Sequence, residues 1–231
     1  WLEKYDQYQT DETIKQWINT FEYKPTISIL LPTYNSNHGL LLSAIQSVKA
    51  QSYSNWQLCI ADDASNDESL KELVLALGKE DNIDVVLRKT NGHISSATNS
   101  ALDLAKGEFV AFLDHDDQLH PHALACVVGK INEAPNLDLI YTDEDKIDLL
   151  GNRSEPHFKS GWNPDLLLSQ NYICHFMLCR RKLLLSLGGL RKGFEGAQDY
   201  DLVLRLTEVT KNIAHVPHIL YHWPLAENST A

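Results

Sequence analysis

Asp114-His115-Asp116-Asp117 puts three carboxylates into four residues, directly after the apolar run Phe109-Val110-Ala111-Phe112-Leu113. A short, wholly apolar run reads as a buried strand, so the carboxylates stand at its carboxyl end. There they repel one another and are costly to desolvate. A divalent cation removes that cost. Oxygen-rich clusters suit Mg²⁺ or Mn²⁺, which keep several waters and bind substrate phosphates as well. The tetrapeptide therefore reads as a metal–diphosphate clamp, and a solvated acidic turn capping a helix near Pro121 is the alternative.

Such a clamp needs strands to carry it. Ile27-Ser28-Ile29-Leu30-Leu31 reads as a strand stopped by Pro32, and residues 56–61 as a second strand ending in Asp62-Asp63. Residues 83–87, 109–113 and 137–141 read as three more. Helical spacing separates them at 40–50, 70–77, 95–105 and 122–131. Strands alternating with helices predict a mostly parallel, doubly wound α/β sheet. Open sheets of this class bind ligands beyond the carboxyl ends of their strands. Pro32-Thr33, Asp62-Asp63 and Asp114 to Asp117 all fall at such ends, so three polar clusters converge on one rim.

Outside this frame the pattern loosens. Residues 1–23 are polar, with Leu2, Tyr5, Trp17, Ile18 and Phe21 spaced as a weak amphipathic helix, read as an N-terminal appendage (1–24). Residues 151–164 read as a loop, 176–179 as a strand, 182–187 as a short helix, 199–210 as an amphipathic helix and 219–223 as a last strand.

The chain has 231 residues and is 43% apolar, ordinary for a globular protein. Its net charge of −11, from 31 acidic and 20 basic residues, argues against nucleic acid as a partner. The four cysteines form no CxxC pair, so reduced core thiols and a cytoplasmic location are expected. No run approaches the roughly 20 apolar residues of a membrane span, and no leader peptide is expected. The first residue is not Met, so further domains of a longer chain are expected.

Four ordered motifs carry a resemblance: Ile29-Leu30-Leu31-Pro32-Thr33-Tyr34-Asn35; Asp62-Asp63-Ala64-Ser65; Gly107 to Asp117; and Phe194-Glu195-Gly196-Ala197-Gln198-Asp199-Tyr200-Asp201-Leu202 with Leu220-Tyr221-His222-Trp223. Together they resemble glycosyltransferase family 2, enzymes of the GT-A fold with a Rossmann-like central sheet, over residues 25–231. Tyr141-Thr142-Asp143-Glu144-Asp145-Lys146 and Asn171-Tyr172-Ile173 are similar to a bacterial branch that includes rhamnosyltransferase-type enzymes of O-antigen and cell-surface polysaccharides. The resemblance implies a nucleotide-binding part (25–117), an acceptor-binding part (118–231), and a peripheral site at the inner membrane face as one option.

The resemblance also implies roles. Pro32, Thr33, Tyr34, Asp63, Asp114 and His115 would bind a nucleoside-diphosphate sugar, UDP- or dTDP-linked, with Asp63 on the pyrimidine imide. An Asx turn is the alternative for this acidic pair, and one Asp can serve it in either case. Asp114, Asp116 and His222 would hold Mn²⁺ or Mg²⁺, Asp116 as the more direct ligand; a packed, hydrogen-bonded His222 is the other reading. Asp199 would be the general base of an inverting transfer to a saccharide acceptor, free or lipid-linked. Asp117, Asp143, Glu144, Asp145 and Trp162 are acceptor candidates, against a solvated acidic loop and ordinary packing. Thr98 and Pro224 stand where basic residues are frequent in the family, which leaves a metal more of the diphosphate charge. Two rivals remain: a non-catalytic saccharide- or partner-binding module, and a haloacid-dehalogenase-like phosphatase, whose nucleophile loop Asp114 to Leu119 superficially resembles.

Overall fold

The computed structural model describes residues 10–148 and 150–225. Leu2 and Tyr5 of the expected N-terminal helix lie outside them. Its second part is α1 (Asp11–Asn19), N-capped by the Thr10 hydroxyl. Trp17 and Phe21 meet edge-to-face, 4.9 Å between centroids, and pack against the core.

The first half alternates as expected: β1 (Ile27–Thr33), α2 (His38–Lys49), β2 (Trp56–Asp62), α3 (Glu68–Leu77), β3 (Ile83–Leu87), α4 (His93–Leu104) and β4 (Phe109–Phe112). These four strands are parallel. Both faces of β1 are buried: Ile27, Ile29 and Leu31 enter one core cluster and Leu30 another. That explains a run apolar at every position from 27 to 31 but Ser28, whose buried hydroxyl donates to Gln57 Oε1 at 2.6 Å. Pro32 does not end β1. Pairing with β4 stops at Leu30, so beyond it β1 faces only β2, and the absent N–H of Pro32 is not needed on the other side.

The second half adds β5 (Gln118–Leu119), α5 (Ala123–Glu133), β6 (Leu139–Ile147), β7 (Arg153–His157), α6 (Pro164–Ser169), β8 (Met177–Arg180), α7 (Arg181–Ser186), α8 (Gln198–Val209) and β9 (Ile213–Pro224). All nine strands form one sheet in the order β3-β2-β1-β4-β8-β6-β9-β5, with β7 on β6. β8 runs antiparallel to β4 and β6, and β9 parallel to β6. Three expectations are corrected. β6 runs on through Asp143, Glu144 and Asp145, β7 occupies the expected loop, and β9 is far longer than 219–223. No helix of the described residues is long and apolar enough to cross a membrane.

Candidate active site

A cavity of about 490 Å³ opens at the carboxyl ends of β1, β2 and β4. Pro32, Thr33 and Tyr34 line it from β1, Asp63 from β2, Asn91, His93 and Ile94 from the start of α4, and Asp114, His115 and Asp116 from β4. All six residues expected to bind the nucleotide sugar thus meet at one place, with Asp116 beside them.

The two aspartates after β2 divide their tasks. Asp62 turns inward and accepts Ser65 N–H at 3.0 Å and the Ser65 hydroxyl, fixing the turn three residues on by side-chain-to-backbone bonding. Asp63, 2% exposed, points to the cavity. Its Oδ1 accepts Arg88 Nε at 2.6 Å, and both oxygens lie within 3.1 Å of Gly92 N. Arg88 also donates to Ser96 O (3.0 Å) and Ser100 Oγ (2.5 Å). A Cβ at Gly92 would come within 2.7 Å of Arg88 Nη2 and 2.9 Å of Ser96, so glycine lets the chain pass. Sequence reasoning missed Arg88, which precedes Lys89 just past β3; only its place at a strand end hinted at it.

Behind this cavity a second, of about 370 Å³, is lined by Pro32, Ile94, Thr98, Asp114, Cys174, His175, Gly196, Asp199 and Trp223, among others. Pro32, Ile94 and Asp114 are common to both. Asp199 is the second residue of α8. Gly196 supplies the left-handed turn into that helix at φ +90°. Asp201 looks elsewhere: it is 6% exposed and paired with Arg191 and with Arg205 (2.8 Å). Burial pushes its pKa up, but hydrogen bonds from both arginines outweigh this and hold it below the ordinary value.

The acidic tetrapeptide splits. Asp116 is half-exposed beside His115, 3.6 Å away. Asp117 is buried and accepts the Tyr221 hydroxyl at 2.6 Å. Asp114, Asp117 and His175 each offer a ligand atom within 4.8 Å of the other two. His175 Nε2 lies 3.6 Å from Asp114 Oδ2, and the ring stacks on Tyr221 at 4.9 Å. Burial first, then the charge of Asp114, raises the Asp117 pKa well above the ordinary value, with the Tyr221 hydrogen bond opposing. Two crowded carboxylates, one buried, and an imidazole make a donor set that fits Mn²⁺ or Mg²⁺. His175 was missed because a lone His carries no local signal.

His222 is not brought to this group. Tyr221 faces Asp117, and the next residue's ring meets Asp145 Oδ1 at 2.5 Å. The other acceptor candidates are satisfied within the protein. Asp143 accepts His215 Nε2 (2.7 Å) and Lys159 N (2.9 Å). Glu144 pairs with Lys159 (3.1 Å) and His157 (3.1 Å). Asp145 pairs with Arg153 (2.6 Å) as well as His222. None of the three lines either cavity. They are neither an exposed loop nor an open binding edge, but buried struts. Trp162 packs against the core cluster of Tyr141, Tyr172 and Leu202.

Among the described residues, four of the five non-glycine positions with positive φ lie at or beside the same rim: Asn35, Ala64, His93 and Cys174, at +47°, +61°, +62° and +39°; the fifth, Glu155, lies in β7. His93 and Cys174 line the cavities, and Asn35 N–H binds Ser65 Oγ at 2.8 Å, lacing the β1 and β2 loops together. Non-glycine residues held this way cluster at functional sites.

The fold is that of GT-A glycosyltransferases. A crystal structure of Staphylococcus aureus TarS residues 1–349 in complex with UDP-GlcNAc superposes with TM-score 0.72 at 22% identity, covering 88% of this chain and 60% of that one. The Glycosyl transferase family 2 model matches residues 28–188, and the chain belongs to that family. It is 42% identical over 200 residues to the O-antigen biosynthesis protein RfbC of Myxococcus xanthus, covering 86% of this chain and 16% of RfbC. It is 28% identical over 217 residues to chondroitin synthase of Escherichia coli, covering 92% of this chain and 31% of the synthase. The chain thus spans less than a third of the length of these two relatives. Family membership leaves the phosphatase reading without support.

Proposed function

We propose that this domain transfers a sugar from a UDP- or dTDP-linked donor to a saccharide hydroxyl, with inversion, in the assembly of a bacterial surface polysaccharide. One observation carries the reading. Asp114 stands in the wall between two cavities, with Asp63 and Asp116 in the first and Asp199 in the second. Donor and acceptor hydroxyl would meet at that wall. The UDP-GlcNAc complex of TarS and the name of RfbC support the donor class and the pathway.

Asp63 would accept the pyrimidine imide N–H, and Tyr34, 46% exposed at the mouth, offers a face for the base. Asp114, Asp117 and His175 would hold a divalent cation, with Asp116 nearby. When bound, that ion supplies charge for the departing diphosphate. The first turn of α4 lines the cavity and adds positive helix-end potential, which offsets part of the cationic charge missing at Thr98 and Pro224. Asp199 would take the acceptor proton, which requires the hydroxyl within about 2.6–3.2 Å. Attack opposite the leaving group inverts the anomeric carbon. The four free cysteines fit a reducing, cytoplasmic setting.

The test is calorimetry with UDP and Mn²⁺, followed by turnover of a UDP- and dTDP-sugar panel. Asp199→Asn is expected to bind UDP as wild type does and to lose roughly 10²–10⁴ in turnover. Failure of the wild-type chain to bind any nucleoside diphosphate with Mn²⁺ would establish the non-catalytic module instead.

A further inference from the structure

The segment 170–176, between α6 and β8, carries Asn171-Tyr172-Ile173, a motif the chemistry above leaves without a task. We infer that Asn171 is a positioning residue that aims the Asp199 carboxylate into the second cavity, and that the buried Lys159–Glu144 pair fixes the segment from behind. The inference rests on the reading of Asp199 as the base.

Asn171 Nδ2 donates to Asp199 Oδ2 at 2.8 Å. The other end of the same amide, Oδ1, is buried without a partner. A buried acceptor left unpaired is costly, and an apolar side chain would avoid that cost. The Asp199 contact is therefore the one return on placing an amide there. The remaining polar side chains at the start of α8 do not compete for it. Gln198 folds back to accept Gly196 N–H at 2.7 Å, and Asp201 is held by Arg191 and Arg205.

The backbone that carries Asn171 is gripped along its length. Lys159, whose side chain is wholly buried, donates from Nζ to Ile173 O at 2.6 Å, to His175 O, and to Glu144 Oε2 at 3.1 Å. Glu144 Oε2 accepts His175 N–H at 3.0 Å. Tyr172 OH accepts Asn163 N–H at 3.0 Å, and Cys174 Sγ donates to Asn171 O at 3.2 Å. Both sides of the segment are thus fixed, so the amide has only its own two torsions to set. The same clamp holds His175 beside Asp114. One buried ion pair thereby ties the aim of Asp199 to the group that faces the diphosphate.

The experiment is a double-mutant cycle. It uses the full chain with Mn²⁺, the UDP- or dTDP-sugar that wild type turns over fastest, and release of the nucleoside diphosphate as readout. Asn171→Ala is expected to lower kcat about 10- to 100-fold, the range of a hydrogen bond to a charged group, with the Kd for UDP unchanged. In an Asp199→Ala background the same substitution is expected to cost less than about 2-fold, because its partner is gone. The exchange Asn171→Asp with Asp199→Asn restores an amide–carboxylate bond and the melting temperature, but not turnover. Equal losses in both backgrounds would show a merely structural contact and overturn the inference, as would recovery of turnover in the exchange. Wild-type turnover in Asn171→Ala with Asp199→Ala impaired sinks the inference alone. Wild-type turnover in Asp199→Ala sinks the base assignment, and the inference with it. Should Asn171→Ala fail to fold, the isosteric Asn171→Asp replaces it, with a loss at least as large expected.

Discussion

Replacing Asp63 by Asn should exchange an acceptor for a donor at the base of the first cavity. The wild-type carboxylate offers about four lone-pair sites. Arg88 Nε at 2.6 Å and Gly92 N–H at 3.0–3.1 Å use part of these, leaving room for one more donor. Uracil and thymine present an imide N–H, whereas cytosine presents a bare ring nitrogen at the same edge, repelled by a carboxylate. In Asp63→Asn the amide oxygen must stay with Arg88 and Gly92, both donors, so its NH₂ turns to the cavity. UDP then loses a hydrogen bond to a charged group, about 1.5–3 kcal/mol or roughly 10- to 100-fold in Kd. CDP gains a donor. Calorimetry with UDP and CDP in Mn²⁺ should show the wild-type preference for UDP collapsing or reversing. An unchanged UDP-to-CDP ratio, in a variant whose melting curve shows it folded, would refute the placement of the base against Asp63.

Three further outcomes follow from the buried charges. Lys159→Met removes the ammonium from Glu144 and from two carbonyls; breaking a buried pair of this kind costs about 3–5 kcal/mol, read as a lower urea midpoint, and a cost near zero would contradict the clamp. Asp201 has a folded pKa held below the ordinary carboxylate value, so it stabilises the fold above that value and loses its contribution as pH falls through the folded one. Asp201→Asn should therefore destabilise at pH 7 by somewhat less than the ~3–5 kcal/mol of a fully buried pair, since Arg191 is half-exposed, with the gap from wild type closing below pH 4. Asp117, its pKa raised by burial and by Asp114, costs stability when ionised. Asp117→Asn should raise the melting temperature in EDTA at pH 8 and abolish any further rise with Mn²⁺, and a retained Mn²⁺ shift would remove Asp117 from the ligand set.

The first half of the fold was legible because its parallel strands read as largely apolar runs, broken only by single polar residues such as Ser28, Gln57 and Asp84, and because ligands gather at their carboxyl ends. That logic placed Asp63, Asp114 and Asp116 at one rim. The second half was not legible, for a different reason. Its strand β6 carries Asp143, Glu144 and Asp145, and their partners Lys159, Arg153, His215 and His222 come from strands and loops up to 77 residues away. No local pattern announces such pairing. The facing of β9 was equally hidden. Its register against β6 slips between Thr142 and Asp143, and again before Glu144. Extra residues therefore enter β9, and a period-two count no longer tells which face His222 takes.

The acidic residues sort themselves by what answers their charge. Asp63 takes Arg88, Asp145 takes Arg153, Glu144 takes Lys159, and Asp201 takes two arginines. Among the described residues, Asp114, Asp116, Asp117 and Asp199 have no Lys or Arg partner; their contacts are imidazoles, a phenol and an amide. In a chain with 31 acids and 20 bases, a shortage of cations was certain somewhere. Scattered over the surface it would cost little, because solvent screens exposed charge. Here part of it falls on neighbours around two cavities, one of them buried, where repulsion and desolvation are not screened. The divalent cation proposed above would supply the missing positive charge. Counter-ions and position must be read together: Asp63 has Arg88 yet lines a cavity, and Asp143 has only His215 and a backbone N–H yet lines neither, whereas Asp114, Asp116 and Asp199 line a cavity with no Lys or Arg beside them.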